Sequence, residues 1–151
     1  MTLELLVNLL INCKHQYNEG ISTVSHSFQA ARLAKQAGAK RTVVLAALFH
    51  DIGHMFSIDD TDGCGASDHA STGAIVLRRF GLGETVCRLV AQHANAKRYL
   101  VSVDKEYESR LSPASKRTLQ AQGGPMKEAE QHAFEQHPLF RDILALRRFD
   151  E

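Results

Sequence analysis

Two histidines and an aspartate lie close together in the sequence, at His50, Asp51 and His54. An imidazole nitrogen can occupy one position on a metal ion, and the two oxygens of a neighbouring carboxylate can bridge to a second ion. The apolar run at residues 43–49 predicts the buried middle of a helix that continues to His54, which returns to the face of His50 one turn later. Taken alone, the His-Asp pair is equally typical of a polar break in a core helix.

Further candidate ligands lie where helices are predicted to begin or end. His26 and His69 open predicted helices, and His93 closes one. With His50, Asp51 and a later aspartate, they provide enough ligands for two metal ions, with Asp51 between them. Neutral imidazoles and carboxylates suit iron, manganese or zinc, and are too rich in nitrogen for a site that binds magnesium alone. The spacing therefore favours a metal site over scattered structural histidines.

Helical periodicity accounts for most of the chain, and no stretch alternates with the period of a strand. The predicted helices are residues 3–13, 26–37, 41–54, 68–80, 84–93, 127–136 and 139–148, with one more beginning at Pro113. Loops are predicted where turn-forming residues cluster, at residues 14–25, 57–67 and 122–125. The expected fold is all-α, a helical bundle that forms a single domain over residues 1–151.

The composition limits the possible partners and compartments. The chain has 18 basic and 17 acidic residues and a formal charge of +1, so its overall charge gives no reason to expect a nucleic-acid partner. An anionic ligand must instead be bound by a local cluster. Cys13, Cys64 and Cys87 show no paired spacing, which favours a reducing, cytoplasmic location. Residues 1–11 lack the features of a signal peptide and are too short to span a bilayer, so no membrane association is expected.

Several local segments carry a more specific pattern than a His-Asp pair. They are Tyr17 to Glu19, Phe49 to His54, Gln92 to Leu100, Leu111 to Ser115, Gln122 to Met126 and Leu146 to Asp150. With the histidine positions, these segments resemble the HD-domain superfamily over nearly the whole chain. Within it they resemble the branch of mixed-valent di-iron oxygenases that includes myo-inositol oxygenase and the phosphonate-cleaving PhnZ-type enzymes. The fold that this resemblance implies is a single HD domain.

The resemblance implies a role for each matching residue. The implied ligands of one iron are His26, His50, Asp51 and Asp150, and those of the other are His69, His93 and the bridging Asp51. Catalytic roles are implied for Tyr17, Glu19 and His54, with the tyrosine capping the iron that opens to dioxygen. The groups implied to bind substrate are Glu19, His54, Lys97, Ser115, Gln122 and Arg147. Asp142 is the alternative carboxylate to Asp150. The family usually has two residues between the tyrosine and the glutamate, whereas only Asn18 separates them here.

The chemistry that the resemblance implies is oxidative cleavage of a carbon–phosphorus bond. A small 1-hydroxy organophosphonate and dioxygen would give phosphate and a carboxylic acid, with two iron ions in the mixed-valent Fe²⁺/Fe³⁺ state as cofactors. An alternative is a phosphohydrolase that uses manganese or another divalent metal on a nucleotide or phosphomonoester. A third possibility is a metal-binding sensor domain without activity. The sequence leaves the oligomeric state open.

Overall fold

A computed structural model of the chain describes residues 2–13, 22–56 and 68–151. Its α-helices, α1 to α9 in chain order, are Leu3–Ile11, Thr23–Gln36, Arg41–Phe49, His69–Arg79, Glu84–Val103, Tyr107–Arg110, Pro113–Ala121, Glu128–Glu135 and Phe140–Asp150. A short 3₁₀ helix, Ile52–Met55, lies between α3 and α4. The all-α fold expected from the sequence is confirmed. Among the described helices, none combines the length and the apolar character that crossing a membrane requires.

Helices α2, α3, α4, α5 and α9 pack together and form the core of the bundle. Helices α2 and α3 pack on each other, and their small residues Ala34 and Ala46 are completely buried. Larger side chains, including Phe49, Leu89 and Ile143, fill the centre of the bundle and are also completely buried. Each such side chain contributes about 1.5–3 kcal/mol through the hydrophobic effect.

A turn at His50 and Asp51 follows α3, and the predicted continuous helix to His54 is wrong. Helix α3 ends at Phe49, His50 caps it, and Asp51 precedes the 3₁₀ helix. This 3₁₀ helix packs directly against the start of α4: a Cβ atom at Gly53 would lie 1.8 Å from the His69 carbonyl oxygen. Only glycine fits at that position. The turn and this close approach place Asp51 beside His69.

Helix α5 is longer than predicted, and the expectation that it closes at His93 is also wrong. The helix continues to Val103, so His93 lies in its middle. Ala96, Lys97 and Tyr99 extend the buried face beyond His93, and this burial continues the helix through a locally polar segment. Lys97 consequently lies one helical turn beyond His93 on the same side of α5.

The entry into α7 matches its sequence signature. The Ser112 hydroxyl accepts a hydrogen bond from the Ser115 backbone N–H at 3.2 Å, and Pro113 occupies the first helical position. A serine cap of this kind contributes about 1 kcal/mol to helix stability. The cap fixes the start of the helix that carries Ser115, which belongs to the predicted substrate-binding set.

Candidate metal centre

The structure brings the six predicted metal ligands together in two groups that share Asp51. Cluster 1 consists of His26, His50, Asp51 and Asp150, and cluster 2 consists of Asp51, His69 and His93. Within each cluster, the potential ligand atoms all lie within 4.8 Å of one another. Residues distant in sequence therefore converge at one place in the bundle.

Cluster 1 is assembled from three separate parts of the fold. His26 lies in the first turn of α2, His50 follows α3, and Asp150 is the last residue of α9. The Nε2 atoms of His26 and His50 are 3.2 Å apart. Asp150 Oδ1 lies 2.8 Å from the first and 3.0 Å from the second, and Asp51 Oδ2 lies 3.2 Å from His50 Nε2.

Cluster 2 takes its histidines from the packed pair of helices α4 and α5. The Nε2 atoms of His69 and His93 are 3.0 Å apart. Asp51 Oδ1 lies 3.5 Å from His69 Nε2 and 3.6 Å from His93 Nε2. Asp51 thus presents Oδ2 to cluster 1 and Oδ1 to cluster 2, which is the arrangement of a carboxylate that bridges two ions.

The hydrogen bonds of the histidines fix which ring nitrogen faces each cluster. His50 Nδ1 donates to the Ala47 carbonyl oxygen at 2.8 Å, and His93 Nδ1 donates to the Val90 carbonyl oxygen at 2.7 Å. Because a carbonyl oxygen only accepts, each neutral ring carries its proton on Nδ1 and presents the lone pair of Nε2 to its cluster. Two Nε2 atoms that both carry a lone pair cannot hydrogen-bond to each other. Nε2 atoms about 3 Å apart in one cluster therefore fit ligands of a shared metal ion.

The charges in the centre also fit bound cations. Burial alone raises the pKa of Asp51, but a protonated His50, through its charge and its hydrogen bond, outweighs burial and holds that pKa well below its usual range. Burial lowers the pKa of His50, but Asp51 and Asp150 outweigh it and raise that pKa well above its usual value. A proton on His50 and a metal ion are therefore alternative ways of neutralising the same two carboxylates.

Arg147 is attached directly to cluster 1. Its Nη1 donates to Asp150 Oδ2, and its Nε donates to the Tyr107 hydroxyl at 2.9 Å. Burial raises the pKa of Asp150, but the charges of Arg147 and His50 outweigh it and hold the pKa well below its usual range. Asp150 is thus a carboxylate, with Oδ1 facing the cluster and Oδ2 facing Arg147. Asp142, the alternative ligand, pairs with Lys40 at 2.9 Å and belongs to neither cluster.

Lys97 is a second buried cation, with only 4% of its surface exposed. Its Nζ donates to the Thr118 hydroxyl at 2.7 Å and to the Ser115 carbonyl oxygen at 3.2 Å. Burial and the charge of Arg147 lower the pKa of Lys97 to about 7, against the opposing effects of Asp150 and Asp51. Two buried cationic groups that influence each other can together bind an anion.

The remaining predicted site residues have different positions. The His54 ring stacks on His69 with 4.1 Å between centroids, and its Nε2 lies 3.8 Å from Asp51 Oδ1. Gln122 caps the end of α7, and its buried Oε1 has no hydrogen-bond partner within the described parts of the chain. Tyr17 and Glu19 lie outside the described residues.

Two residues at the centre were not identified from the sequence. Tyr107 lies on the unpredicted helix α6 and accepts the hydrogen bond from Arg147, and Thr118 accepts the hydrogen bond from Lys97. Thr118 lies three residues after Ser115, so the helical periodicity of α7 could have suggested it. Tyr107 had no comparable signal, because the partner that gives it a role is 40 residues away.

Comparisons with known proteins agree with this geometry. A family model described as HD domain matches residues 23–131, a range that contains every residue of the two clusters except Asp150. The chain is 40% identical over 139 residues to a 1-hydroxy-2-(trimethylamino)ethylphosphonate dioxygenase (glycine-betaine-forming) of Leisingera caerulea, over 88% of this chain and 69% of the relative. It is 41% identical over 140 residues to a hydroxymethylphosphonate dioxygenase of Gimesia maris, over 89% and 69% respectively. An uncharacterised protein of Acanthamoeba polyphaga mimivirus is 34% identical over 155 residues, over 96% and 71%.

Proposed function

We propose, from the premise that this chain belongs to the HD domain family, that it is a di-iron oxygenase that cleaves the carbon–phosphorus bond of a small 1-hydroxyphosphonate. Phosphate and a carboxylic acid would be the products. The observation that carries the proposal is the joint presence of two clusters bridged by Asp51 and of two buried cations, Lys97 and Arg147, in a chain about 40% identical to two phosphonate dioxygenases.

The spacing of the ligand atoms in cluster 1 supports a six-coordinate ion such as iron in that cluster. Two ligand atoms that are each about 2.1 Å from an ion and at right angles to each other lie about 3.0 Å apart, against about 3.4 Å in a tetrahedron. The distances in cluster 1 run from 2.8 to 3.2 Å, which favours a six-coordinate ion over tetrahedral zinc. When bound, a mixed-valent pair of iron ions supplies Lewis acidity toward the substrate oxygens and the redox chemistry that dioxygen requires.

The buried cations bind and orient the phosphonate in this proposal. Arg147 and Lys97 provide charge, and the amide group of Gln122 and the hydroxyl group of Ser115 provide hydrogen bonds to the phosphonate oxygens. Among the described residues, the buried cationic side chains are Lys97 and Arg147. Two cations match a small, doubly charged group rather than a long polyanion. Binding at this end would direct the C1 carbon toward the clusters and hold it in a reactive orientation.

The reaction balances without an external reductant. The C1–H and C1–P bonds of the substrate break, and one dioxygen molecule accepts the four electrons that are released. Of the two new oxygen atoms in the products, one belongs to the carboxylic acid and the other to phosphate. His54, beside Asp51 and His69, is placed to hold or move a proton during this change. Tyr17 and Glu19 are proposed to cap the metal and contact the substrate.

The proposal is tested with iron-loaded protein prepared without oxygen. Hydroxymethylphosphonate or 1-hydroxy-2-(trimethylamino)ethylphosphonate is added with isotopically labelled dioxygen, and released phosphate and label in the products are measured. We expect phosphate release that depends on oxygen, label in the products, and a mixed-valent electron-spin resonance signal that changes with substrate. Methylphosphonate, which lacks the 1-hydroxyl group, is the control. No phosphate from either substrate, with two irons bound, would contradict the proposal.

A hydrolase is the second candidate, because the same ligands can bind two redox-inactive ions that activate water. In that case, the manganese-loaded protein would release phosphate from a nucleotide or phosphomonoester in the absence of dioxygen. Phosphate carrying oxygen from labelled water would identify this activity. Bound metal without turnover of either substrate class would instead indicate a sensor or binding domain.

A further inference from the structure

A continuous line of hydrogen bonds joins a buried tyrosine to cluster 1. The Tyr107 hydroxyl, on a residue with 3% of its surface exposed, accepts from Arg147 Nε at 2.9 Å. Arg147 Nη1 donates to Asp150 Oδ2, and Asp150 Oδ1 lies 2.8 Å from His26 Nε2 and 3.0 Å from His50 Nε2. Among the described residues, Tyr107 forms no hydrogen bond with a potential ligand of either cluster, but it is two hydrogen bonds away from Asp150.

We propose that Tyr107 is a positioning residue for cluster 1, and this inference rests on the proposed two-metal function. A guanidinium group with only one partner can rotate about its side-chain bonds and approach either oxygen of Asp150. Because Tyr107 holds Nε, the remaining nitrogen atoms of Arg147 are directed toward Oδ2. Oδ1 then stays free to face the histidines.

The effect is specific to cluster 1. In cluster 2, His93 is oriented by the Val90 carbonyl oxygen within its own helix, and no side chain of the Tyr107 line takes part. The line also joins α6, at the surface of the bundle, to the last turn of α9. It therefore stabilises the position of a ligand at the end of a helix, where the backbone alone provides little constraint.

Tyr99 provides a matched control for Tyr107. It is also largely buried, with 9% of its surface exposed, and its hydroxyl donates to Glu135 Oε1 at 2.8 Å. Glu135 belongs to neither cluster. The substitutions Tyr107→Phe and Tyr99→Phe each remove one buried hydroxyl group, but only the first breaks a connection to a potential ligand.

The experiment is an oxygen-free titration of each metal-free variant with ferrous iron, measured by calorimetry. We expect Tyr107→Phe to weaken one of the two binding steps by about 10- to 100-fold, the usual effect of removing a group that orients a ligand. The other step, and both steps of Tyr99→Phe, should match those of the unsubstituted protein. In an Asp150→Asn background, where the cluster 1 step is expected to be lost, Tyr107→Phe should leave the remaining step unchanged, because the group that it positions is gone.

Three results would overturn the inference. They are two unchanged binding steps in Tyr107→Phe, equal weakening of both steps, or a weakened remaining step in the Asp150→Asn background. If Tyr107→Phe does not fold, Arg147→Lys decides, because a lysine keeps the charge but cannot hold the hydroxyl and the carboxylate in the same fixed geometry. The same selective loss is expected for it, and two normal steps would contradict the proposal. Failure of the unsubstituted protein to bind two irons would refute the proposed function instead.

Discussion

Clusters 1 and 2 use the same kinds of ligand but depend on different parts of the fold. In each cluster, two histidines that are 24 residues apart in sequence bring their Nε2 atoms to within 3.2 Å or 3.0 Å. Cluster 2 takes its histidines from α4 and α5, the most extensively packed pair of helices. Cluster 1 also needs the last residue of α9, 124 residues from His26. The same chemistry is thus supported by local packing in one cluster and by distant contacts in the other.

The buried cations beside the two clusters, Arg147 and Lys97, differ in the groups to which they bond. Arg147 lies one turn before Asp150 and bonds to it directly, whereas Lys97 lies one turn after His93 and bonds to a neutral hydroxyl and a carbonyl oxygen. Burial lowers the pKa of Arg147, but Asp150 outweighs it and raises that pKa, so Arg147 stays charged. Within the described parts of the chain Lys97 bonds to no carboxylate, and burial and the charge of Arg147 lower its pKa to about 7. Arg147 therefore supports the fold of the centre, and Lys97 is available to respond to an anion.

The largest effect is expected from the residue that the two clusters share. Asp51→Asn removes the charge between them and replaces one carboxylate oxygen by an amide group that does not bind iron well. We expect both iron-binding steps to be lost or greatly weakened and phosphate release to fall by more than about 100-fold, beyond the usual effect of a group that only orients a ligand. Metal content after gel filtration and the activity assay measure these changes. Retention of one tightly bound iron would show that the clusters are independent.

Substitutions in one cluster should separate the two sites. Asp150→Asn removes a ligand of cluster 1 only, and His93→Ala removes a ligand of cluster 2 only. We expect each variant to keep about one iron per chain and to lose oxygen-dependent phosphate release by more than about 100-fold, since the proposed reaction needs both ions. Atomic absorption gives the metal content. If Asp150→Asn kept two irons, cluster 1 would be complete without Asp150.

The residues that form the two clusters could be singled out from the sequence because chemistry restricts the residue types that can bind a metal ion. The order and spacing of the histidines and aspartates indicate a metal site whatever the exact helix boundaries are. The errors in the predicted boundaries therefore did not affect the choice of these residues. Tyr107 could not be predicted in the same way, because a tyrosine suits many environments and gains its role only from a partner that folding brings close. The pairing of Arg147 with Asp150, by contrast, follows from their helical spacing once both are on α9.

A close backbone contact between the 3₁₀ helix and α4 positions Asp51 beside His69. Gly53→Ala would place a Cβ atom 1.8 Å from the His69 carbonyl oxygen and force the 3₁₀ helix away from α4. We expect a loss of about 1–3 kcal/mol in the free energy of unfolding, and weaker iron binding, chiefly in cluster 2. Gly83→Ala is the control, since a Cβ atom there would meet nothing within 4 Å. Denaturant unfolding and iron titration measure the two effects, and equal behaviour of both variants would refute this role of the close contact.

This contact also explains why the α3 boundary was mispredicted. The apolar run before His50 has helical periodicity, and nothing local requires the helix to stop at Phe49. The 3₁₀ helix that follows instead packs closely on the backbone of His69, a contact that lies 16 residues away in sequence. Helix α5 shows the opposite error: its polar segment after His93 suggested an end, but burial of Lys97 and Tyr99 against distant residues keeps it helical. Both errors arise from tertiary contacts that a local pattern does not contain.

The smallest effect is expected from the loss of the Lys97 proton as the pH rises. Its effect on anion binding tests whether Lys97, unlike Arg147, changes its charge near neutral pH. With a pKa of about 7, Lys97 loses its proton between pH 6 and pH 8, while Arg147 remains charged. Because an anion binds the protonated form, affinity for sulfate, whose own charge is constant in this range, should fall as the pH rises. The expected decrease is about 10-fold, the limit for one linked proton with this pKa.

Calorimetric titration of the metal-free protein with sulfate measures this decrease, and Lys97→Met should remove the pH dependence while weakening binding at pH 6. Protein stability provides a second measurement with a defined sign. An unfolded lysine keeps its proton up to a pKa of 10.5, so between about pH 7 and 10.5 the unfolded chain binds more protons than the folded chain. The contribution of Lys97 to the free energy of unfolding therefore rises with pH in this window, and Lys97→Met should lack that rise. A sulfate affinity with the same pH dependence in both proteins would mean that Lys97 does not bind the anion and that Arg147 is the cation that matters.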